Sequence, residues 1–319
     1  MHSPETLLVH VRALKPSLAP AEQRVADVVV ADPAGAAGMT ITQLAGVCGT
    51  SETTVVRFCR AVGFAGYPEL RLALAAVAGA ATKGPPGWVE GPAGDIGAED
   101  GLREVVKKVS YADARAVEET AAQLDLEAME AVVEAVAGAR RLDVYGVGAS
   151  GFVALDLQQK LHRIGRLAFA WTDPHAALTS AALLGPGDVA MGISHTGTTG
   201  DTVDALAEAR RRGATTIAVT NFPRSPIARE ADLMVTTAAR ETTFRSGAMA
   251  SRIAALSLVD CLFVAVAQRD HAATLAALER TYAAVRTRHS AATRSGRPRQ
   301  ASRAGSTPPA RRARPRRRG

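Results

Sequence analysis

Between residues 142 and 236, short apolar runs alternate with helical patterns, and this alternation constrains the fold more than any other feature of the chain. Residues 142–147, 189–194, 215–220 and 233–236 read as strands, with 167–170 as a weaker fifth. Helical patterns occupy 151–164, 174–184, 201–212 and 227–231 between them, and 251–267 and 272–286 after them. Parallel strands need crossover connections, which cover the sheet faces with helices and run right-handed. The segment therefore predicts an α/β domain with a mostly parallel five-stranded sheet flanked by helices.

At 319 residues the chain is long enough for two domains, and four zones separate. Residues 1–80 read as all helix, with Pro20 and Ser51 at helix starts and Pro33 and Gly63 near helix stops. Residues 81–101 are rich in Gly and Pro and form a linker. Residues 102–285 carry the α/β pattern. Residues 286–319 are Arg/Ser/Pro-rich and offer almost nothing to bury, so they are expected to be disordered. The net charge of +7 comes from that last zone, which holds 12 Arg and no Asp, Glu or Lys. Without it, 26 basic residues face 31 acidic ones, so the overall charge does not itself indicate a DNA-binding surface. The tail is either an adjunct that adds non-specific DNA affinity or a solvated arm.

In the first zone, the run ITQLAGVCGTSETTVVRFCRAV (41–62) has the spacing of a helix-turn-helix. One helix runs to about Cys48, with Leu44 and Val47 facing inward and Ala45 where a larger side chain would collide with the second helix. Gly49 sits at the turn, where a positive φ is often needed. Ser51 caps the second helix, whose Val55, Phe58 and Val62 form its inner stripe. Thr53, Thr54, Arg57 and Arg60 are left on the outer side, with hydroxyl and guanidinium groups suited to phosphates and base edges. Thr42 and Gln43 stand where they reach the DNA backbone. The bland alternative is a helical hairpin with a solvated face, and the balance of six basic and six acidic residues over 1–80 favours it mildly.

Two strand-to-helix loops carry the chemistry of the third zone. In the first, Tyr145 to Gly151 (YGVGASG), Gly148, Ala149 and Ser150 offer backbone amides and a hydroxyl at a helix N-terminus, which is an anion site by geometry and dipole. A dinucleotide fold would place an acidic residue at the end of the next strand. Only Asp173 lies near, just beyond the strand, so that fingerprint is poor. The second loop, SHTGTTGD (194–201), packs Ser194, Thr196, Thr198 and Thr199 around Gly197. Hydroxyls and amides without Lys or Arg suit a phosphate monoester on a polar sugar, or else form an ordinary capped turn with Thr199 or Asp201 as the cap. His195 faces either a ligand or solvent.

These motifs resemble a known family. GVGAS (146–150) and SHTGTT (194–199) are similar to the hallmark loops of the SIS (sugar isomerase) domain, and TVVRFCRAVGFAGYPELR (54–71) resembles the helix-turn-helix of the RpiR/MurR family. The resemblance covers about residues 4–285. It implies a cytoplasmic transcription regulator, homodimeric or homotetrameric, that binds a double-stranded DNA operator and responds to a phosphorylated sugar from carbohydrate or cell-wall catabolism. Carried over, Ser150, Ser194, Thr196 and Thr199 hold the phosphate, and Glu241 resembles the acidic residue that faces the sugar. Arg245 and Arg252 are candidate partners of Glu241 or of the ligand. The loop departs from the family at His195 and Thr198, and the Arg-rich tail is not in its pattern.

SIS domains also occur in sugar-phosphate isomerases, so an enzyme is the alternative. Its base would have to be Glu241 or His195, and residues 1–80 would have no use. A third reading is a phosphosugar sensor that binds no DNA. No cofactor is implied, and His162 and His175 lack a carboxylate or Cys at metal spacing. Cys48, Cys59 and Cys261 show no CxxC pattern and read as small buried hydrophobes of a reducing compartment. No signal peptide opens the chain, and no uninterrupted apolar run reaches membrane-spanning length, so a soluble protein is expected.

Overall fold

The computed structural model of the chain describes residues 4–81, 96–241 and 248–295. Most of the expected linker and tail, and Arg245, lie outside them. The first helices are α1 (Pro4–Leu14), α2 (Pro20–Ala31), α3 (Pro33–Gly38), α4 (Ile41–Val47), α5 (Glu52–Ala61) and α6 (Tyr67–Ala81). Pro33 follows the end of α2 but is also the first residue of α3, where its fixed φ and missing N–H are tolerated. Leu7, Val11, Val25, Val29, Leu44, Phe58 and Leu70 meet in one buried cluster, so the six helices share a core.

Within it, Leu44 and Ala45 of α4 and Cys48 just after it turn inward, while Val47 is 60% exposed and not inward as its spacing suggested. The arc of Leu44, Ala45 and Cys48 already fills the contact with α5, and Val47 falls beyond its edge. Gly49 has φ +57°, and Val55, Phe58 and Val62 are fully buried, as the motif requires.

The second part begins with α7 (Leu102–Gln123) and α8 (Leu126–Gly138), neither of which was expected from the sequence. There follow β1 (Arg141–Tyr145), α9 (Ala149–Arg163), β2 (Ala168–Trp171), α10 (Pro174–Ala181), β3 (Asp188–Ile193), α11 (Gly200–Arg211), β4 (Thr215–Thr220), α12 (Pro226–Arg229) and β5 (Leu233–Thr236). The chain closes with α13 (Ala250–Arg269) and α14 (His271–Ser295). All four strand pairings are parallel, in the order β2-β1-β3-β4-β5. Helices α8, α9 and α13 pack together on one side, and α10, α11 and α12 on the other. Because β2 and β3 lie on opposite sides of β1, the crossovers diverge there, and a crevice opens where the carboxyl ends of β1 and β3 meet.

Buried charges inside the sheet are paired. Asp143 on β1 is fully buried and receives Nε and Nη2 of Arg141, the indole N–H of Trp171 at 2.8 Å and the hydroxyl of Ser180. Without those donors its carboxylate would lose its hydration uncompensated. Arg140 holds Asp188 by two parallel bonds of 2.9 and 2.8 Å, which with burial-opposed hydrogen bonding keeps that carboxyl below its usual range.

Among the described residues α13 is long and apolar enough by length and composition to cross a membrane. Here it is a core helix: Ala250, Ala254, Leu258, Val259, Leu262 and Val266 are buried, and the helix packs on α7, α8 and α9. Cys261, on its outer side, is exposed, unlike the buried Cys48 and Cys59, because the inward arc of α13 passes through 258, 259 and 262. By contacts, Met1–Ala277 forms one unit and Leu278–Gly319 a second. Within the first, α1 packs on α7, and Arg12 of α1 bonds Glu119 of α7 at 3.3 Å.

Candidate functional site

Two places gather the candidate residues. The first is the outer side of α4 and α5. Thr40 and Gln43 form a reciprocal cap on α4: the Thr40 N–H donates to Gln43 Oε1 at 2.8 Å, and the Gln43 N–H to Thr40 Oγ1 at 3.3 Å. The oxygen of Gln43 is therefore engaged, and its amide NH2 is what it can offer elsewhere. Thr42 donates to Glu52 at 2.5 Å across the turn. Ser51 is the cap of α5, accepting the Thr54 N–H at 3.3 Å and lying 3.0 Å from the Thr54 hydroxyl.

Ser51, Thr53, Arg57 and Arg60 are exposed, and Thr54 is half-buried. Glu22 reaches Arg57 from α2. Arg24, also on α2, donates from Nε to Cys48 O at 2.9 Å and from Nη2 to Gly49 O at 3.0 Å, which fixes the turn between α4 and α5. Sequence reasoning missed both. Arg24 binds backbone atoms, which carry no sequence signal, while an acidic residue on α2 matching an arginine on α5 is visible only once the helices are packed.

The second place is the carboxyl end of the sheet. A shallow, solvent-open cleft is lined there by Ala149, Ser150, His195, Thr220, Thr237 and, from α13, Ser251 and Arg252. Loop 146–151 is shaped by close packing: a Cβ on Gly146 would lie 2.7 Å from Ser150 O. Gly148 adopts φ +60° as the residue before α9, which sets Ala149 and Ser150 at that helix's first turn.

In the second loop Ser194 is 2% exposed and its Oγ accepts the Gly197 N–H at 3.1 Å while lying 3.1 Å from the Thr199 hydroxyl. Thr196 is exposed and accepts from both the N–H and the hydroxyl of Thr198, at 3.3 and 2.8 Å. Thr199 precedes α11 without a side-chain bond to its N-terminus. Gly197 has φ +65°, and any Cβ there would collide with the side chain of Ser225, so only glycine fits. Ser194, Thr196 and Thr199 thus crowd one turn beside the cleft. Ala149, Ser150 and His195 are in its wall.

His195 is half-buried with its Nδ1 unpartnered, and its ring meets Phe222 edge-on at 5.6 Å between centroids. Burial lowers its pKa below the ordinary value, and the carboxylate of Glu241 pulls weakly the other way. Glu241 caps the start of α13, accepting the Ser251 N–H at 2.7 Å on Oε1 and the Met249 N–H at 3.3 Å on Oε2. Asp173 likewise caps α10, accepting the Ala176 N–H at 2.9 Å, which gives it a local role without a nucleotide. The Oγ of Ser251, 4% exposed, has no hydrogen-bond partner although it lines the cleft. The sequence reading passed over Thr220, Thr237 and Ser251, because a lone hydroxyl on a strand end or inside an apolar helix gives no motif. Among the described residues no group of three or more His, Cys, Asp or Glu stands at metal-binding distance.

Comparison with known proteins matches the two domains in which these places lie. The family model of the rpiR-family helix-turn-helix domain fits residues 5–79, and that of the SIS domain fits 135–265. An HTH-type transcriptional regulator of Caldanaerobacter subterraneus subsp. tengcongensis is 37% identical over 275 residues, spanning 86% of this chain and 95% of that protein. A regulator of the same description from Haemophilus influenzae is 31% identical over 264 residues, 83% of this chain and 91% of its own. Among solved structures, Vibrio vulnificus NanR complexed with ManNAc-6P superposes with a TM-score of 0.55 at 28% identity, over 88% of this chain and 98% of that one. The sugar isomerase domain of an RpiR transcription factor from Sphaerobacter thermophilus gives 0.51 at 33% identity, over 55% and 96%. With both domains in this order and relatives matched over nearly their whole length, the chain belongs to the RpiR family of helix-turn-helix transcriptional regulators with a SIS domain.

Proposed function

We propose that this regulator binds an operator through α4 and α5 and that a phosphorylated sugar in the SIS cleft alters its affinity for that operator. The observation that carries the reading is the second loop. Three hydroxyls, of Ser194, Thr196 and Thr199, gather within one turn at the N-terminus of α11, beside a cleft walled by Ser150 and His195. Backbone amides and the positive end of a helix favour a phosphate there, and the hydroxyls supply neutral donors around it. The cleft's remaining polar groups suit sugar hydroxyls. NanR, the neighbour in complex with ManNAc-6P, supports a sugar phosphate as the effector class.

In this reading Gly148, Ala149, Ser150, Ser194, His195, Thr196, Thr199 and Glu241 serve the ligand. Thr42, Gln43, Ser51, Thr53, Thr54, Arg57 and Arg60 serve DNA. Residues 1–80 act as the DNA-binding domain, 81–101 as the connection, 102–285 as the sensor and 286–319 as an appended basic arm. The protein works in the cytoplasm as a homodimer or homotetramer, since two copies present two recognition helices to paired half-sites. Engagement of both Glu241 oxygens at the start of α13 supports binding over proton transfer. The pathway served is one of carbohydrate or amino-sugar catabolism. A thermal-shift screen of the full chain against hexose and amino-sugar 6-phosphates tests the sensor, because a ligand selective for the folded state raises the melting temperature. A shift with one or a few of them is expected, and no shift with any would contradict the reading.

A further inference from the structure

The segment from Asn221 to Ser225, between β4 and α12, touches the second loop at several points. The Asn221 N–H and the Thr220 hydroxyl both donate to His195 O, at 3.0 and 3.2 Å. The Phe222 ring lies edge-on to His195. Ser225 stands directly against Gly197, and at the start of α12 the Ile227 N–H donates to Gly197 O at 3.0 Å. Asn221 also ties the segment to the chain after β5, its Oδ1 accepting the Ala239 N–H at 2.7 Å and the hydroxyl of the cleft-lining Thr237 at 3.2 Å. These contacts are tight and mostly buried, so the second loop and this segment cannot move independently.

One residue of the segment points elsewhere. Arg224 is exposed, and its Nη2 donates to Ala61 O at 3.2 Å. Ala61 is the last residue of α5, the helix with the outward Thr and Arg side chains. Carbonyls of a helix's last turn lack partners within the helix, and a cation there also meets the negative end of its dipole. The contact therefore joins the effector loop to the far end of the recognition helix through two residues of chain beyond Phe222. Helix α5 has ten residues, or about 15 Å, so a small displacement at Ala61 tilts the whole reading face.

We infer that Arg224 is a positioning residue: it transmits the state of the phosphosugar loop to the recognition helix by holding the carboxyl end of α5. This rests on the effector reading above. It adds a route, from His195 and Gly197 through the 221–225 segment to Ala61. An effector acts only through contacts that differ between two states, and the Arg224 contact is one that a shift of the loop would make or break.

The test uses the full chain, a duplex it selects from random sequence, and three probes: N-acetylmannosamine 6-phosphate, glucosamine 6-phosphate and inorganic phosphate. Probe binding is measured by calorimetry and operator Kd by fluorescence anisotropy, with and without saturating probe. The wild type should change its operator Kd about tenfold or more with an effective probe, within the usual span of allosteric coupling. Arg224→Ala should bind that probe with unchanged affinity in the absence of DNA, keep its melting temperature, and lose most of the Kd response. Arg224→Lys, which still donates to Ala61 O, should keep the response, and Phe222→Leu should reduce it. A full response in Arg224→Ala, or its equal loss in Arg224→Lys, overturns the inference and leaves the effector reading intact. A wild type that binds none of the probes, or binds one without any change in operator Kd, overturns the effector reading and this inference with it.

Discussion

Glu22 on α2 grips Arg57 on α5 with a single oxygen: Oε1 accepts from Nε at 2.9 Å and lies 2.8 Å from Nη2. Its other oxygen accepts the Ala19 N–H at 3.2 Å and so belongs to the cap of α2. Arg57 is therefore exposed without being loose. A guanidinium held on one edge loses less entropy when its free edge meets a base or phosphate.

Arg57→Ala should weaken binding to the cognate duplex by ~1–3 kcal/mol if the residue reads a base. Glu22→Gln should produce a smaller loss of the same kind, because the arginine remains but a neutral amide with one acceptor oxygen holds it less firmly. Its effect on folding stability should be about 1–3 kcal/mol, because Glu22 is buried and its two oxygens serve both Arg57 and the Ala19 N–H. Competition titrations with cognate and random DNA separate the outcomes. Equal weakening on both would reduce Arg57 to a backbone contact.

Ser194 has two duties that a double substitution with Thr199 would confuse. Its Oγ accepts the buried Gly197 N–H, which Ser194 O also accepts at 3.1 Å, so Ser194→Ala removes one of that donor's two acceptors at a cost of about 0.5–1.5 kcal/mol in stability. Thr199 makes no such backbone bond, its hydroxyl meeting only that of Ser194 among the described contacts. Thr199→Val should therefore lose phosphosugar affinity with little change in the urea midpoint, whereas Ser194→Ala should lose both. A Thr199→Val protein with undiminished affinity would place the phosphate elsewhere.

Gly197→Ala combines a positive φ with a collision against Ser225. The backbone term alone is about 1–2 kcal/mol and the overlap adds about 1–3 kcal/mol. Adding Ser225→Gly should recover most of the second part, since Thr220 Oγ1 would still lie 2.9 Å from the added methyl, and none of the first. Chemical denaturation of the single and double variants checks this, and full recovery would show that φ is not strained.

The pH response of stability should carry a mark of His195. Burial holds its pKa below the ordinary 6.5, so the folded state favours the neutral ring. An unfolded chain binds the proton sooner as pH falls. The contribution is thus complete above about pH 6.5 and is lost progressively as pH drops through the folded-state value. His195→Gln should flatten the decline in denaturation midpoint between about pH 7 and pH 5. Identical slopes in both proteins would count against a buried neutral imidazole.

The sequence carried the sheet well because its strands are apolar on both faces: 215–220 and 233–236 coincide with β4 and β5, and the other three differ by a residue or two at their ends. The helix-turn-helix was legible through steric rules at Ala45, Gly49 and Val55. Helix α7 escaped because its buried residues are Ala116, Glu119 and Thr120, two of them polar, so its hydrophobic period does not report its inner face. Helix α8 has a proper stripe of Met129, Val132, Val133 and Val136 that could have been read. At the cleft, the hydroxyl-rich loops announced themselves by composition. The Glu22 grip and the Arg224 contact did not, since each depends on a partner 35 or 163 residues away, nor did the Ser251 hydroxyl, which faces a wall that only folding assembles.

The central claim is that one chain reads DNA and a phosphosugar, and that each alters the binding of the other. Its most direct test is the Kd of the full chain for its selected duplex, measured at fixed salt across a saturating series of sugar phosphates, with product analysis of each sugar afterwards. The account predicts a shift of about fivefold or more with at least one of them, and that sugar recovered unchanged. A Kd that stays constant while the sugar is bound, or a sugar recovered as its isomer, would contradict it.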